Sequence, residues 1–213
     1  MFPFRARAWL AVSLLLAAAA CQDEFGGGPR TVTRSGYRAA LVYSPTDRYE
    51  VAVRGQKQRV SGIFDGSELV KIERPDLGKI WQFRPSTRKI IEMPWTPLEE
   101  LVPGYPLDPH FDPEGYADRF HGTVKRVDDA AFGGHPCERF VMSLPSGDRV
   151  TLWVARDLER LVVRIEHEKK DPKDEYQAVT DTRLDDVRLG APGKLFEKPE
   201  GFARVGNYAE LGK

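Results

Sequence analysis

Asp108, His110, Asp112 and Glu114 alternate with prolines and other residues in the stretch Asp108–Gly115. Oxygen and nitrogen donors at such spacing are of the kind that hold a divalent cation. The stretch fails as a calcium loop, because Pro113 stands where that loop needs its glycine, and a rigid acidic loop explains the same residues. No metal site is assigned. His121, His135 and His167 are scattered, with neither H-E-x-x-H spacing nor paired cysteines nearby. A G-x-S-x-G elbow is absent. A phosphate loop and a dinucleotide fingerprint are absent too, and Gly26 to Gly28 reads as a tether rather than a phosphate cradle. Nothing pairs a nucleophile with its base, so the sequence predicts no catalytic residue, no cofactor and a non-enzymatic protein.

Two cysteines remain, Cys21 and Cys137. Ahead of Cys21, Arg5 and Arg7 give a short basic region and Trp9 to Leu16 supply most of an apolar run. Ala17 to Ala20 are small residues suited to a peptidase cleft. The apolar run is short for a membrane-spanning helix. Ala18-Ala19-Ala20-Cys21 resembles the lipobox of bacterial lipoproteins, although the usual leucine three residues before the cysteine is Ala18 here and the nearest leucine is Leu16. The resemblance implies that the Cys21 thiol is acylated and becomes the new N-terminus after residues 1–20 are removed. An ordinary secretory cleavage near Ala20, leaving a soluble protein, is the alternative. Gln22 to Arg30 is polar and carries three consecutive glycines, as a flexible tether does. Gln22 in place of aspartate implies, by the same resemblance, the outer membrane with the domain facing the periplasm. Several acyl chains at about 0.8 kcal/mol per buried methylene hold durably where one is marginal.

Removing residues 1–20 from the 213 leaves a 193-residue chain, enough for one domain with a substantial core. The full chain has 32 basic and 32 acidic residues, and losing Arg5 and Arg7 leaves about −2. The charges are mixed along the chain without a basic stripe, which argues against nucleic acid as a partner. With Cys21 acylated, Cys137 has no partner within the chain and no disulfide forms. Cys137 reads as a small buried apolar residue, with a reactive thiol as the alternative. The expected state is a monomer.

These features must be positioned by strands, because the dominant period from Thr31 onward is two. Arg48–Arg54, Lys57–Phe64, Ser67–Glu73, Lys79–Arg84 and Arg88–Met93 alternate and are separated by Gly, Pro, Asp or Ser turns. Pro94–Phe120 breaks the pattern with six prolines. Within it Thr96 caps a possible turn at Pro97 and Glu114–Phe120 a second, so 94–120 reads as a lid-like insertion. Strands resume at His121–Asp128, Pro136–Leu144, Arg149–Ala155, Leu161–His167 and Tyr176–Leu189. Pro192–Gly201 closes the chain, with Phe196 as a plug. The predicted fold is mainly β: an antiparallel sheet of about eleven strands, curled into an incomplete barrel with a short helical, proline-rich lid.

Four local phrases carry a resemblance to the lipoprotein-localisation carriers of the LolA and LolB type and their bacterial lipoprotein relatives. They are Asp76-Leu77-Gly78-Lys79-Ile80-Trp81-Gln82-Phe83 followed by Pro85, Gly134-His135-Pro136-Cys137-Glu138-Arg139-Phe140, Leu152–Leu158, and Leu195–Phe202. The resemblance implies a domain over 31–213 whose half-barrel encloses a lipid, a lipidated protein or another apolar ligand. Alternation nominates Val51, Val53, Val70, Ile72, Trp81, Phe83, Met142, Leu152, Val163 and Ile165 as inward residues of that cavity. The same ten residues fit a closed core equally well. In that case the protein is a cell-envelope protein–protein interaction module without a ligand.

Overall fold

Branched and aromatic residues alternating with charged ones favour extended backbone, and this chain is dominated by strands. The computed structural model describes residues 36–97, 110–171 and 175–212. The leader, Cys21 and the tether lie outside the described residues, as do residues 98–109 and with them the turn expected after Thr96. The strands are β1 (Tyr37–Ser44), β2 (Asp47–Arg54), β3 (Lys57–Phe64), β4 (Ser67–Arg74), β5 (Lys79–Arg84) and β6 (Lys89–Pro94), followed after helix α1 (Pro113–Arg119) by β7 (Thr123–Phe132), β8 (His135–Ser143), β9 (Arg149–Ala155), β10 (Leu161–Lys170), β11 (Tyr176–Leu189) and β12 (Ala203–Arg204). A short helix α2 (Tyr208–Leu211) follows.

All twelve strands form one sheet in the order β12-β6-β5-β4-β3-β2-β1-β11-β10-β9-β8-β7. Every neighbouring pair is antiparallel except β12 with β6. The long crossover brings β11 beside β1, while β12 and β7 stay at opposite ends, so the barrel is not closed. Register shifts at Arg38/Ala40, Arg126/Asp128, Val162/Arg164 and His167/Glu168 add the local twist that lets so long a sheet coil.

Three strands depart from the sequence expectation, among them β12, whose two residues are too few to show a period. β1 has apolar residues on both sides, with Ala39, Ala40, Leu41 and Val42 all buried, so it shows no alternation to read. The strand expected at 121–128 begins at Thr123 and runs to Phe132. Its bulge leaves Val127 without a β8 partner and 53 % exposed, which breaks the period. The expected helical turn over Glu114–Phe120 is α1, started by Pro113 at its first position and by Asp112, whose carboxylate accepts from the Glu114 N–H. Gly122 then carries the chain into β7, where a Cβ would stand 2.6 Å from the Ser143 carbonyl oxygen.

The core divides into three clusters. A central one joins Tyr37, Ala39, Leu41, Val51, Val53, Trp153, Leu161, Val163, Leu184 and Cys137. A second packs Phe111 and Phe120, which flank α1, onto Phe140, Met142, Val150, Leu152 and Ile165. A third packs Phe196 and Ala191 of the C-terminal segment onto Val70, Ile72, Trp81, Phe83 and Ile90. The α1 region is latched by the β9–β10 turn, where Leu161 N–H bonds to Leu158 C=O. Its two central residues, Glu159 and Arg160, both have positive φ, at 55° and 59°. Such a pair costs about 1–2 kcal/mol per non-glycine residue. The turn aims two carbonyls outward, and Glu159 C=O accepts from His110 N–H at 2.7 Å while Arg160 C=O accepts from Phe111 N–H at 3.0 Å. Arg160 also donates to the Phe111 carbonyl and to Glu138.

Candidate ligand face

The phase of the alternation decides which side chains are available. Across β3–β6 the pairs Arg59↔Ile72↔Trp81 and Val70↔Phe83↔Ile90 lie on one face of the sheet. That face is sealed. Phe196 is 1 % exposed there, Phe202 meets Phe83 edge-on at 5.2 Å and 76°, and Arg74 donates to the Phe196 carbonyl at 3.0 Å. Glu92 pins the same segment: Lys79, the Trp81 indole N–H and Lys198 converge on its carboxylate at 3.0, 3.1 and 3.1 Å. Those three donors, Lys79 foremost, hold its pKa down at about 2.

The opposite face carries the pairs Val60↔Lys71↔Gln82↔Ile91, Glu73↔Ile80↔Met93 and Gly62↔Leu69. Val60, Leu69, Ile80 and Met93 are only half-buried, and Ile91 is buried at the β6 end. Lys71 and Glu73 neutralise each other at 2.5 Å, so the polar groups interspersed there bring little net charge. One border of the face is an aromatic ladder, with Tyr43 against Tyr49 at 5.9 Å and Tyr49 against Phe64 at 5.4 Å. Gly62 makes the ladder possible, because a Cβ there would stand 2.4 Å from the Tyr49 ring. At the other border Tyr208 of α2 donates its hydroxyl proton to Gln82 at 2.8 Å.

The ten residues nominated from the sequence do not share one surface. Val51, Val53 and Val163 enter the central cluster. Val70, Ile72, Trp81 and Phe83 lie under the C-terminal segment, on the face opposite Val51 and Val53. Met142, Leu152 and Ile165 lie under Phe111 and Phe120. All ten are buried to 5 % exposure or less. The half-exposed set of Val60, Leu69, Ile80 and Met93 was missed, because on β5 Trp81 and Phe83 are larger and more apolar than Ile80 and Gln82 and set the phase that was read as inward. The signal that finds it is the pairing with Phe196, more than a hundred residues downstream.

Groups with chemical potential elsewhere are held in structural roles. Cys137 is 1 % exposed, its thiol meets the His135 carbonyl at 3.5 Å, and burial pushes its pKa up. A buried, protonated thiol is a poor nucleophile. His135 pairs with Asp157 at 2.8 Å, and His167 with Asp148 at 3.3 Å. Asp112 is occupied as a helix cap, and His110 faces Glu159 at 3.8 Å. Ser86 and Lys89 have Ser-x-x-Lys spacing, but they lie across the β5–β6 turn instead of on a helix, with Ser86 exposed. Among the described residues no group of three or more His, Cys, Asp or Glu side chains is placed to hold a metal ion. Among the same residues no helix is long and apolar enough to cross a membrane.

No family model matches the chain. No curated protein matches it either. Solved structures do. An uncharacterized conserved protein from Thermus thermophilus superposes with a TM-score of 0.51 at 10 % identity, over 81 % of this chain and 91 % of that one. MucB superposes with a TM-score of 0.52 at 13 % identity, over 80 % of this chain and 59 % of MucB. The Pseudomonas aeruginosa MucA/MucB complex aligns less closely, at 0.48 and 10 % identity, over 81 % of this chain and 58 % of that one. This chain therefore shares a fold with the Thermus protein and with MucB, and spans a little under two thirds of MucB's length.

Proposed function

We propose that the protein is an exported lipoprotein, tethered through Cys21 to the outer membrane and facing the periplasm. Its sheet domain holds an apolar ligand, a lipid or the acyl chain of a lipidated protein, against Val60, Leu69, Ile80, Ile91 and Met93. One observation carries the ligand reading. In the half-sheet β3–β6 one face is sealed by the chain's own C-terminus, while the other keeps large apolar side chains half-open and rimmed by aromatics. Covering such a face with a ligand gains roughly 25 cal/mol per Å² of apolar surface removed from water. The motifs resembling lipoprotein-localisation carriers support the same reading.

Saturable uptake of a fluorescent fatty-acid probe tests this. Leu69→Lys places a charge on the face at a half-exposed position. Uptake is expected to weaken at least tenfold, about 1.4 kcal/mol, while the thermal midpoint moves little. A wild-type protein that takes up no probe, or a Leu69→Lys variant that binds as well as wild type, contradicts the assignment.

An interaction module with no ligand is the rival reading, and the outer edge of β7 is its natural docking place, since among the described residues no strand pairs there. Lys125, Arg126, Asp128 and Asp129 crowd that edge around the bulge at Val127. Charges and bulges are the devices that keep edge strands from pairing, so β7 fits the expected monomer better than a strand-adding partner.

A further inference from the structure

Where the sheet domain begins is fixed by close contacts. Gly36 has a φ of 64°, and a Cβ there would stand 1.9 Å from the Val53 carbonyl oxygen, so the start of β1 is pinned against the end of β2. The Gly36 carbonyl accepts from Gly190 N–H at 2.8 Å, which ties the same corner to the end of β11. Gly36 lies fifteen residues after Cys21. Fully extended, that length reaches about 50 Å, and the rest of the sheet domain has a longer covalent path to Cys21.

Four basic side chains surround this corner. Arg38 has Ala52 as its register partner on one side and Arg188 on the other, and Arg54 lies two residues beyond Ala52 on the same face. The Arg38 guanidinium donates to the Gly190 carbonyl at 3.1 Å. That of Arg54 stands 3.3 Å from where a Cβ on Gly193 would be, one residue before Lys194. Arg38, Arg54, Arg188 and Lys194 are all exposed, and among the described residues none of them enters an ion pair. The acids of the corner do not neutralise them. Asp76 is held by Arg74 at 2.7 Å and Lys57 at 3.6 Å, and Glu50 and Glu197 pair with none of the four. Like charges directly opposite each other, as Arg38 and Arg188 are, weaken a sheet unless an anion covers them.

We propose that this corner docks on the anionic lipid headgroups of the membrane that holds the acyl anchor, with Arg38, Arg54, Arg188 and Lys194 as its contacts. The proposal rests on the reading that Cys21 is acylated. The chain without residues 1–20 carries about −2, so attraction to an anionic surface has to be local. Basic residues gain from such a surface within a Debye length, about 8 Å at physiological salt. The anchor returns the corner to the membrane after each release, so even a weak contact sets the domain's orientation. The contacts lie on the face sealed by Phe196, because Arg38, Ala52, Arg59 and Ile72 are register partners in turn. Docking there leaves the half-open face uncovered by the membrane.

Sedimentation of the exported Cys21→Ala protein with vesicles tests this, since without acyl chains binding reports the surface alone. The protein should bind mixed phosphatidylcholine–phosphatidylglycerol vesicles at low salt, leave them at high salt, and ignore pure phosphatidylcholine. Arg38→Gln with Arg54→Gln should weaken the binding at least tenfold. Arg188→Gln with Lys194→Gln should do the same, and among the described residues these two side chains make no bond whose loss could unfold the protein. Lys125→Gln with Lys169→Gln is the control. It removes two exposed charges at the other end of the strands, where Lys125 lies near the start of β7 and Lys169 faces Gln177 near the start of β11, and it should change little. Equal weakening by all three double variants would show attraction by overall charge, and absence of binding to the anionic vesicles would show none. Either result overturns the docking corner and leaves the anchor standing, because the acyl mass on Cys21 is read separately.

Discussion

Phe196→Ala will remove roughly 3–5 kcal/mol of folding stability, the range found when a fully buried aromatic is truncated. Phe196 is 1 % exposed and belongs to one cluster with Val70, Ile72, Trp81, Phe83 and Ile90 of the β3–β6 half-sheet. Without the ring that cluster opens to water. The cavity cannot easily collapse, because Arg74 holds the Phe196 carbonyl and the Lys198 side chain holds Glu92. Phe202→Ala is the comparison. Phe202 is only partly buried and meets Phe83 along one edge, so its loss should cost nearer 1 kcal/mol. Urea unfolding followed by tryptophan fluorescence measures both, since Trp81 lies in the affected cluster. A Phe196→Ala cost below about 1 kcal/mol would show that the C-terminal segment does not seal this face, and the choice of the opposite face for the ligand would lose its basis.

Cys21→Ala should move the protein entirely from the membrane fraction to the soluble periplasmic fraction, if the signal is still cleaved. On the proposed anchoring by several acyl chains, at about 0.8 kcal/mol per buried methylene, the expected effect is all-or-none. Among the described residues no helix can replace the anchor. Fractionation of envelopes, with the intact mass of the mature protein, reads the outcome. A wild-type mass without acyl chains, or a Cys21→Ala variant that stays with the outer membrane, would return the N-terminus to an ordinary secretory signal.

The sheet was legible because its physics is local. Lys79 to Arg84 alternates as a strand with one buried face does, and Gly or Asp mark the turns between the strands. Where local physics fell silent, so did the sequence. β1 hides its period because both faces are covered, and the β7 bulge at Val127 inverts the period in mid-strand. Asp112 and Glu114 have donor chemistry that the sequence left without a site, and in the structure Asp112 caps α1 while Glu114 sits in its first turn. The site was harder. Alternation states which residues share a face, but which face is covered depends on distant partners. Trp81 and Phe83 outrank Ile80 and Gln82 in apolarity and so drew the cavity assignment, yet Phe196 and Phe202 had already claimed them. The plug role of Phe196 was itself readable. Its docking surface was not, because the parallel pairing of β12 on β6 joins segments more than a hundred residues apart.

Occupation of the half-open face of β3–β6 by an apolar ligand in the envelope is the point on which the functional reading turns. Native mass spectrometry of the protein, released gently from cell envelopes, addresses it without a labelled probe. The expected species is a monomer carrying one additional mass that departs on denaturation, matches a lipid or an acylated chain, and is missing from Leu69→Lys. A bare chain mass that stays unchanged after incubation with lipids would contradict it and leave the face to a protein partner.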